Sequence, residues 1–227
     1  MPRRKLSDDY LHLGHRRRLV TALRARGIDH PPTLEAFGRV PRHWFVPRVH
    51  EARAYEDRAL PIARGQTISQ PYTVAYQTSL LRPAPRLKVL EVGTGSGYQA
   101  AILGTLGMRV FTLERHEALY QSARTLFADR RFGDVRCFLR DGFRGLPAHS
   151  PFDRILVTAG AETVPPALLE QLGRGGVMVI PVGREGQVMR RITRADDGTL
   201  SEEDFGQFRF VPFLEGLATE YERREGP

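Results

Sequence analysis

The stretch Leu87-Lys88-Val89-Leu90-Glu91-Val92-Gly93-Thr94-Gly95-Ser96-Gly97-Tyr98-Gln99-Ala100-Ala101 constrains this 227-residue chain more than any other. It opens as a short apolar strand, turns through three glycines and leaves into a helix-compatible segment. Glycine lets the backbone turn tightly and approach a ligand with no Cβ in the way. The free N–H groups of the first helical turn then face that ligand. Such a strand–turn–helix unit cradles a nucleotide, and the remaining chain must complete or serve the fold built on it.

The segments after the turn continue in β–α alternation. Residues 99–106 predict the first crossover helix, with Gly107 as its stop, and residues 110–114 a second strand ending in Glu114. A helix is expected over 116–127, strands over 135–139 and 152–157, a helix from Pro165 and Pro166 to a stop at Gly173, and a strand over 176–182. Residues 189–193 and 208–213 read as strands around the Asp196-Asp197-Gly198 turn. The pattern specifies a doubly wound, Rossmann-like α/β sheet, mostly parallel, with an antiparallel C-terminal hairpin and N-terminal helices. Residues 83–227 then form the nucleotide-binding domain, and residues 1–82 a helical and substrate-loop segment packed on it.

Within that first segment, residues 1–10 are polar and expected to fray. Leu11, Leu19, Ala22 and Leu23 give an amphipathic helix over 11–26, stopped by Gly27, and a short helix fits 32–38. Val40-Pro41-Arg42-His43-Trp44-Phe45-Val46-Pro47 reads as an aromatic plug that fastens this segment to the domain. Residues 55–73 are mostly irregular, and Pro71 opens a helix whose buried face is Val74, Ala75, Thr78 and Leu81. Thr67, Ser69 and Gln70 gather just before that helix. They can cap it or help to hold a carboxylate, and spacing leaves both readings open.

Composition narrows the partners. No apolar run approaches the roughly 18 residues that span a bilayer, and no apolar core follows Met1-Pro2-Arg3-Arg4-Lys5, so neither membrane nor secretory signal is expected. The formal charge of +8 is spread along the chain and is almost wholly arginine, only Lys5 and Lys88 being lysine. That is a compositional bias more than a phosphate track, and nucleic acid is not the expected substrate. Cys137 is the single cysteine and is read as a buried structural thiol; a cytoplasmic monomer is the expected state. His12 and His15 lie three apart on a helix without a carboxylate or cysteine set, which reads as a solvated face and no metal site.

The glycine spacing is Gly-x-Gly-x-Gly; Tyr98 stands where a dinucleotide enzyme carries its third glycine, and no Gly-Lys-Ser/Thr is present. Glu91, two residues before Gly93, is awkward for a pyrophosphate but suits a ligand carrying an ammonium and a sulfonium. Glu114 lies about 20 residues beyond the glycines, where a carboxylate binds ribose hydroxyls, and Asp141 follows the third strand. Together they suit S-adenosylmethionine.

At these residues the chain resembles the protein-L-isoaspartate O-methyltransferases over about residues 27–216. Gly65-Gln66-Thr67-Ile68-Ser69-Gln70-Pro71 is the most specific match, joined by Val40-Pro41-Arg42, Phe45-Val46-Pro47, Leu60-Pro61-Ile62 and Val179-Ile180-Pro181-Val182-Gly183. The resemblance implies that Ser69, with Thr67, Ile68 and Gln70, holds the isoaspartyl α-carboxylate beside the methyl donor, and that Val211 and Phe213 wall the substrate cleft. It implies cofactor contacts from Glu91, Gly93, Gly95, Gly97, Glu114, Asp141 and Gly142, completed by Gln70, Tyr72 and Thr94. S-adenosyl-L-homocysteine is the expected product, and isoaspartyl-containing proteins and peptides are the expected partners. Ala63-Arg64 and Phe213-Leu214-Glu215 depart from the family's pattern and bear on the shape of the cleft. The rivals are a nucleic-acid methyltransferase and a non-catalytic cofactor-binding adaptor. The first lacks its Asn/Asp/Ser-Pro-Pro-Tyr/Phe motif after the fourth strand, where Val157-Thr158-Ala159-Gly160-Ala161 stands.

Overall fold

The computed structural model describes residues 7–128 and 131–218. The chain begins with α1 (Tyr10–Ala25) and α2 (Pro31–Arg39), followed by 3₁₀ turns over Arg42–Phe45 and Arg48–Arg53. A two-stranded hairpin of β1 (Leu60–Pro61) and β2 (Thr67–Ile68) then leads into α3 (Pro71–Leu80). Of the polar N-terminus expected to fray, residues 1–6 lie outside the described residues, and Tyr10 already belongs to α1. The buried stripe of α1 is Arg16, Leu19 and Leu23, whereas the expected Leu11 and Ala22 are exposed. Arg16 can enter because Asp8 takes its Nη2 at 2.8 Å and the Gly38 carbonyl its Nε at 2.8 Å. The plug reading holds: Phe45 packs on Tyr98 (5.3 Å) and Phe132 (5.5 Å), and Trp44 on Phe132 (6.2 Å).

The sheet is built from β3 (Lys88–Val92), β4 (Arg109–Glu114), β5 (Asp134–Leu139), β6 (Phe152–Val157), β7 (Leu172–Val182), β8 (Gln187–Arg194) and β9 (Leu200–Phe208), with α4 (Tyr98–Thr105), α5 (Glu117–Phe127) and α6 (Pro166–Gln171) as crossovers. Its order is β5-β4-β3-β6-β7-β8-β9, with parallel pairing from β5 to β7 and antiparallel pairing of β8 and β9. Central strands covered on both faces are apolar on both faces. Val89, Val110, Leu23 and Phe37 therefore join one buried cluster, and Leu90, Phe111, Ile155 and Leu168 the other. The first cluster draws on both sides of the 82/83 boundary. From β3 the chain winds outward through β4 and β5, then returns to β6 on the opposite side of β3. This reversal opens a crevice beyond the C-terminal ends of β3 and β6, where doubly wound sheets bind ligands.

Two expected boundaries change. The helix opened by Pro165 and Pro166 ends at Gln171, and β7 begins at Leu172, not residue 176, because Leu172 already pairs with Phe152 before an irregularity in the register. The last strand spans Leu200–Phe208 and not 208–213. Its polar residues Glu202, Glu203 and Asp204 suit an edge strand, where they pair with Arg190 and Arg191 across the ladder.

Candidate active site

Three chain segments meet in the crevice beside the C-terminal ends of β4, β5 and β6. The first is the glycine turn. Gly93, Gly95 and Gly97 have φ of +99°, +53° and +86°, a region costly for residues with a Cβ. The Gly93 and Thr94 N–H groups both donate to the Leu113 carbonyl (2.9 and 3.0 Å), and the Gly95 N–H donates to Glu114 Oε2 at 2.8 Å. A Cβ at Gly93 would fall 2.4 Å from Thr158 Oγ1, whose hydroxyl donates to the Gly93 carbonyl at 2.8 Å. Conformation and crowding together demand glycine there.

Glu114 closes β4 with only 5% exposure, and its other oxygen accepts the His116 N–H at 2.9 Å. Burial pushes its carboxyl up, while the N–H groups of His116 and Gly95 pull it back. Each carboxylate oxygen keeps a second lone pair, so Glu114 can still accept from a ligand hydroxyl. Glu91 lies behind the turn, fully buried and beside Thr112 in the β3–β4 register. Burial pushes its carboxyl up to about 8; the Thr112 hydroxyl opposes the shift and Glu114 adds to it.

The second segment is the β1–β2 hairpin. Its tip turns tightly through Arg64 (φ +64°) and Gly65 (φ +63°), with the Ile62 N–H donating to the Gln66 carbonyl at 2.9 Å. It feeds Thr67, Ile68 and Ser69 into the crevice wall. The following helix α3 has no side-chain cap from Gln70, and Asp57 Oδ1 accepts the Tyr72 N–H at 2.7 Å. Asp57 is therefore the capping carboxylate, and Thr67 and Ser69 are not engaged as caps. The Ser69 carbonyl accepts from Arg42 Nη2 at 2.8 Å, and Arg42 Nε donates to the Ala54 carbonyl at 2.8 Å. Among the described residues the Ser69 hydroxyl makes no hydrogen bond.

The third segment is the strap over residues 210–214. The Gly160 N–H donates to the Val211 carbonyl and the Phe213 N–H to the Gly160 carbonyl, both at 2.8 Å. Gln187 Oε1 accepts the Phe210 N–H at 2.9 Å. The Phe213 ring packs on Phe143 at 4.2 Å, and a Cβ at Gly142 would meet it at 2.9 Å. These segments wall a single concave crevice, lined by apolar Val92, Leu113 and Phe213 and by polar Thr67, Ser69, Gln99 and Glu114, the mix of surfaces typical of a small-molecule site.

The profile of the family described as Protein-L-isoaspartate(D-aspartate) O-methyltransferase (PCMT) matches residues 14–218. A protein-L-isoaspartate O-methyltransferase of Cytophaga hutchinsonii is 48% identical over 210 residues, covering 92% of this chain and 95% of that one. The chain belongs to the protein-L-isoaspartate O-methyltransferase family. A relative from Salinibacter ruber is 49% identical over 220 residues, covering 92% of this chain and 95% of that one. A solved protein-L-isoaspartate O-methyltransferase superposes with a TM-score of 0.80 at 26% identity, over 92% of this chain and 68% of its own. A second, a putative protein-L-isoaspartate O-methyltransferase from Plasmodium falciparum in complex with S-adenosyl-L-homocysteine, shares the fold with a TM-score of 0.74 at 24% identity, over 88% of this chain and 98% of its own.

Of the residues singled out in the sequence, Thr67, Ile68, Ser69, Gly93, Thr94, Gly95, Glu114, Gly142, Val211 and Phe213 line the crevice of this family member. Gln70, Tyr72, Glu91, Gly97 and Asp141 stand outside its wall. Asp141 caps the next turn through the Phe143 N–H (3.0 Å), and Gly97 is hemmed in by the Phe127 ring, 3.1 Å from where its Cβ would lie. Sequence reasoning missed Gln99 and Thr158 on the wall, and Arg42, Asp57 and Gln187 behind it. Their signal was position: Gln99 in the first turn after the glycines, Thr158 just beyond β6, and Arg42 inside the aromatic plug.

His12 is not on a solvated face; its ring stacks on His43 at 3.7 Å and 8°. Asp8, His12 and His43 bring ligand atoms within 4.8 Å of one another. Stacked rings direct their lone pairs in parallel planes, and Arg16 already holds Asp8. A carbonyl only accepts, so His43 Nε2 donates to Ser7 O (2.8 Å) and Nδ1 accepts from the Tyr55 hydroxyl (2.8 Å). This is a hydrogen-bonded latch on α1. Cys137 is half-buried, and burial pushes its thiol up to about 12, in line with a structural thiol. No helix among the described residues is long and apolar enough to cross a membrane.

Proposed function

We propose that this protein methylates the α-carboxylate of L-isoaspartyl residues in damaged proteins and peptides, with S-adenosylmethionine as donor. The observation that carries the reading is the Ser69 hydroxyl, uncommitted and on the crevice wall with the glycine turn of the doubly wound sheet. In this reading residues 1–82 supply the substrate loop, and residues 83–227 hold the cofactor and add Val211 and Phe213 to the substrate wall.

The crevice residues fit that cofactor. Gly93, Thr94 and Gly95 offer a backbone free of side-chain bulk, and Glu114 offers a carboxylate to ribose hydroxyls. Gln99 Oε1 is a buried acceptor without a partner, suited to an ammonium. Val92, Leu113 and Phe213 supply apolar surface for a base, with Gly142 making room. Gly97 and Asp141 would act through the turns that they fix, Glu91 from its buried place behind the glycine turn, and Gln70 and Tyr72 through the start of α3. When bound, the cofactor supplies an electrophilic methyl group.

A carboxylate is already ionised near neutral pH, so its oxygen needs no general base. The task of the chain is alignment, an effect that can supply about 7–11 kcal/mol. Ser69 donates its hydroxyl hydrogen to the substrate carboxylate and orients it, with Thr67 and Ile68 beside it. Val211 and Phe213 form the facing wall and exclude water. The released methyl ester is open to attack by the next backbone nitrogen, which expels methanol and forms a succinimide; water then reopens the ring, in part to normal aspartate.

The test is methyl transfer from labelled S-adenosylmethionine to two peptides that differ only in carrying L-isoaspartate or L-aspartate. Base-labile label on the isoaspartyl peptide alone is expected. Label on neither, or equally on both, would contradict the reading.

A further inference from the structure

Helix α3 buries Pro71, Thr73, Val74, Ala75, Gln77, Thr78 and Leu80, yet leaves Tyr72 and Tyr76, one turn apart, half-buried. Their rings lie nearly parallel, with centroids 5.6 Å apart at 17°. Tyr76 continues onto Phe208 at the end of β9 (5.6 Å, 23°), and Phe208 onto Phe210 (6.5 Å, 44°). The Arg26 guanidinium closes the other end, 3.8 Å from the centre of the Tyr72 ring. The α3–β9 series makes an apolar strip of four half-buried rings.

Its position gives it a use. Tyr72 follows Ser69 by three residues, and Phe210 immediately precedes Val211. The strip therefore joins, on the outside, the two segments that wall the crevice on the inside. The crevice wall is shared between the glycine turn on the cofactor side and Thr67, Ser69, Val211 and Phe213 around the modified residue. The neighbouring residues of a polypeptide substrate must then pass over the rim. Rigid aromatic rings supply contact area there at low cost in side-chain entropy.

We propose that Tyr72, Tyr76, Phe208 and Phe210 form a docking strip for the polypeptide flanking the modified residue, with preference for apolar and aromatic flanking side chains. The proposal rests on the isoaspartyl reading above.

The test compares three isoaspartyl peptides: a blocked tripeptide, a decapeptide with glycine and serine flanks, and a decapeptide with leucine and phenylalanine flanks. The wild-type protein is expected to favour the apolar decapeptide by about tenfold in kcat/KM over the glycine–serine one, through KM. Tyr76→Ser is expected to remove most of that preference while tripeptide turnover and S-adenosyl-L-homocysteine affinity stay unchanged. Phe208→Leu keeps the apolar volume but removes the flat ring, and is expected to lose part of it. Methylation of all three peptides with no preference in the wild type, or a preference untouched by both variants, overturns the docking strip alone. Methylation of none overturns the isoaspartyl reading and the strip with it.

Discussion

Arg42 carries its charge where no solvent reaches it. Burial pulls its guanidinium down to about 10, and Tyr98, Asp57 and Tyr55 only partly offset that. Its partners are two carbonyls, those of Ala54 and Ser69, and the face of Tyr98, 4.8 Å from ring centre to Cζ. Arg42 thereby sets the position of Ser69 from behind. Arg42→Met leaves both carbonyls without that donor, at about 1–3 kcal/mol each. Its KM for an isoaspartyl peptide should rise more than its Kd for S-adenosyl-L-homocysteine, and Arg42→Lys should recover only part, since one ammonium does not reproduce a fork. Equal changes in both constants would contradict the role. Glu91 makes a pH prediction. Burial holds its folded-state pKa at about 8, above the ordinary 4.5 of a glutamate, so between those values the unfolded chain holds fewer protons than the native one. Stability should then fall as pH rises from about 5 to 8, by up to about 1.4 kcal/mol per pH unit. Thermal unfolding across that range should show the fall, and Glu91→Gln should flatten it.

At the scale of elements, the strap over residues 210–214 owes its place to a clasp that crosses the sheet. Gln187, at the start of β8, packs against Gly160 so closely that a Cβ there would sit 2.8 Å from its side chain. The same side chain holds the Phe210 N–H. Gln187→Leu removes that acceptor at about 1–3 kcal/mol and should loosen Val211 and Phe213. Peptide KM is expected to rise with cofactor affinity little changed; an unaltered peptide KM would show the strap to be held by Gly160 alone. The strap was legible as a cleft wall only through family resemblance. By local pattern residues 208–213 read as a strand, since they are apolar and aromatic, while the true strand β9 is acidic and looks like a loop. An edge strand takes its character from the arginines opposite, and local pattern alone does not show that Arg190 and Arg191 will face Glu202, Glu203 and Asp204. The helices behaved differently. Those of α3, α4 and α5 stood within a residue or so of their expected bounds, because proline, glycine and apolar spacing mark them locally.

For the whole molecule, the doubly wound sheet was legible because apolar runs alternate with helical spacing from residue 87 onward. The crevice was legible at its glycine turn, where three left-handed residues favour glycine. What stayed hidden were the supports that arrive from afar: Arg42 behind Ser69, Asp57 on α3 and Gln187 under the strap, each joined to its target only by folding. His12 was misjudged for the same reason, since His43 reaches it from the plug. The proposed mechanism divides labour between a wall that orients the substrate carboxylate and a turn that holds the donor. Ser69→Ala tests it most directly, by measuring isoaspartyl-peptide turnover and S-adenosyl-L-homocysteine affinity on one preparation. A strong loss of turnover with affinity almost unchanged is expected. Turnover like that of the wild type, or a parallel loss of both, would contradict it.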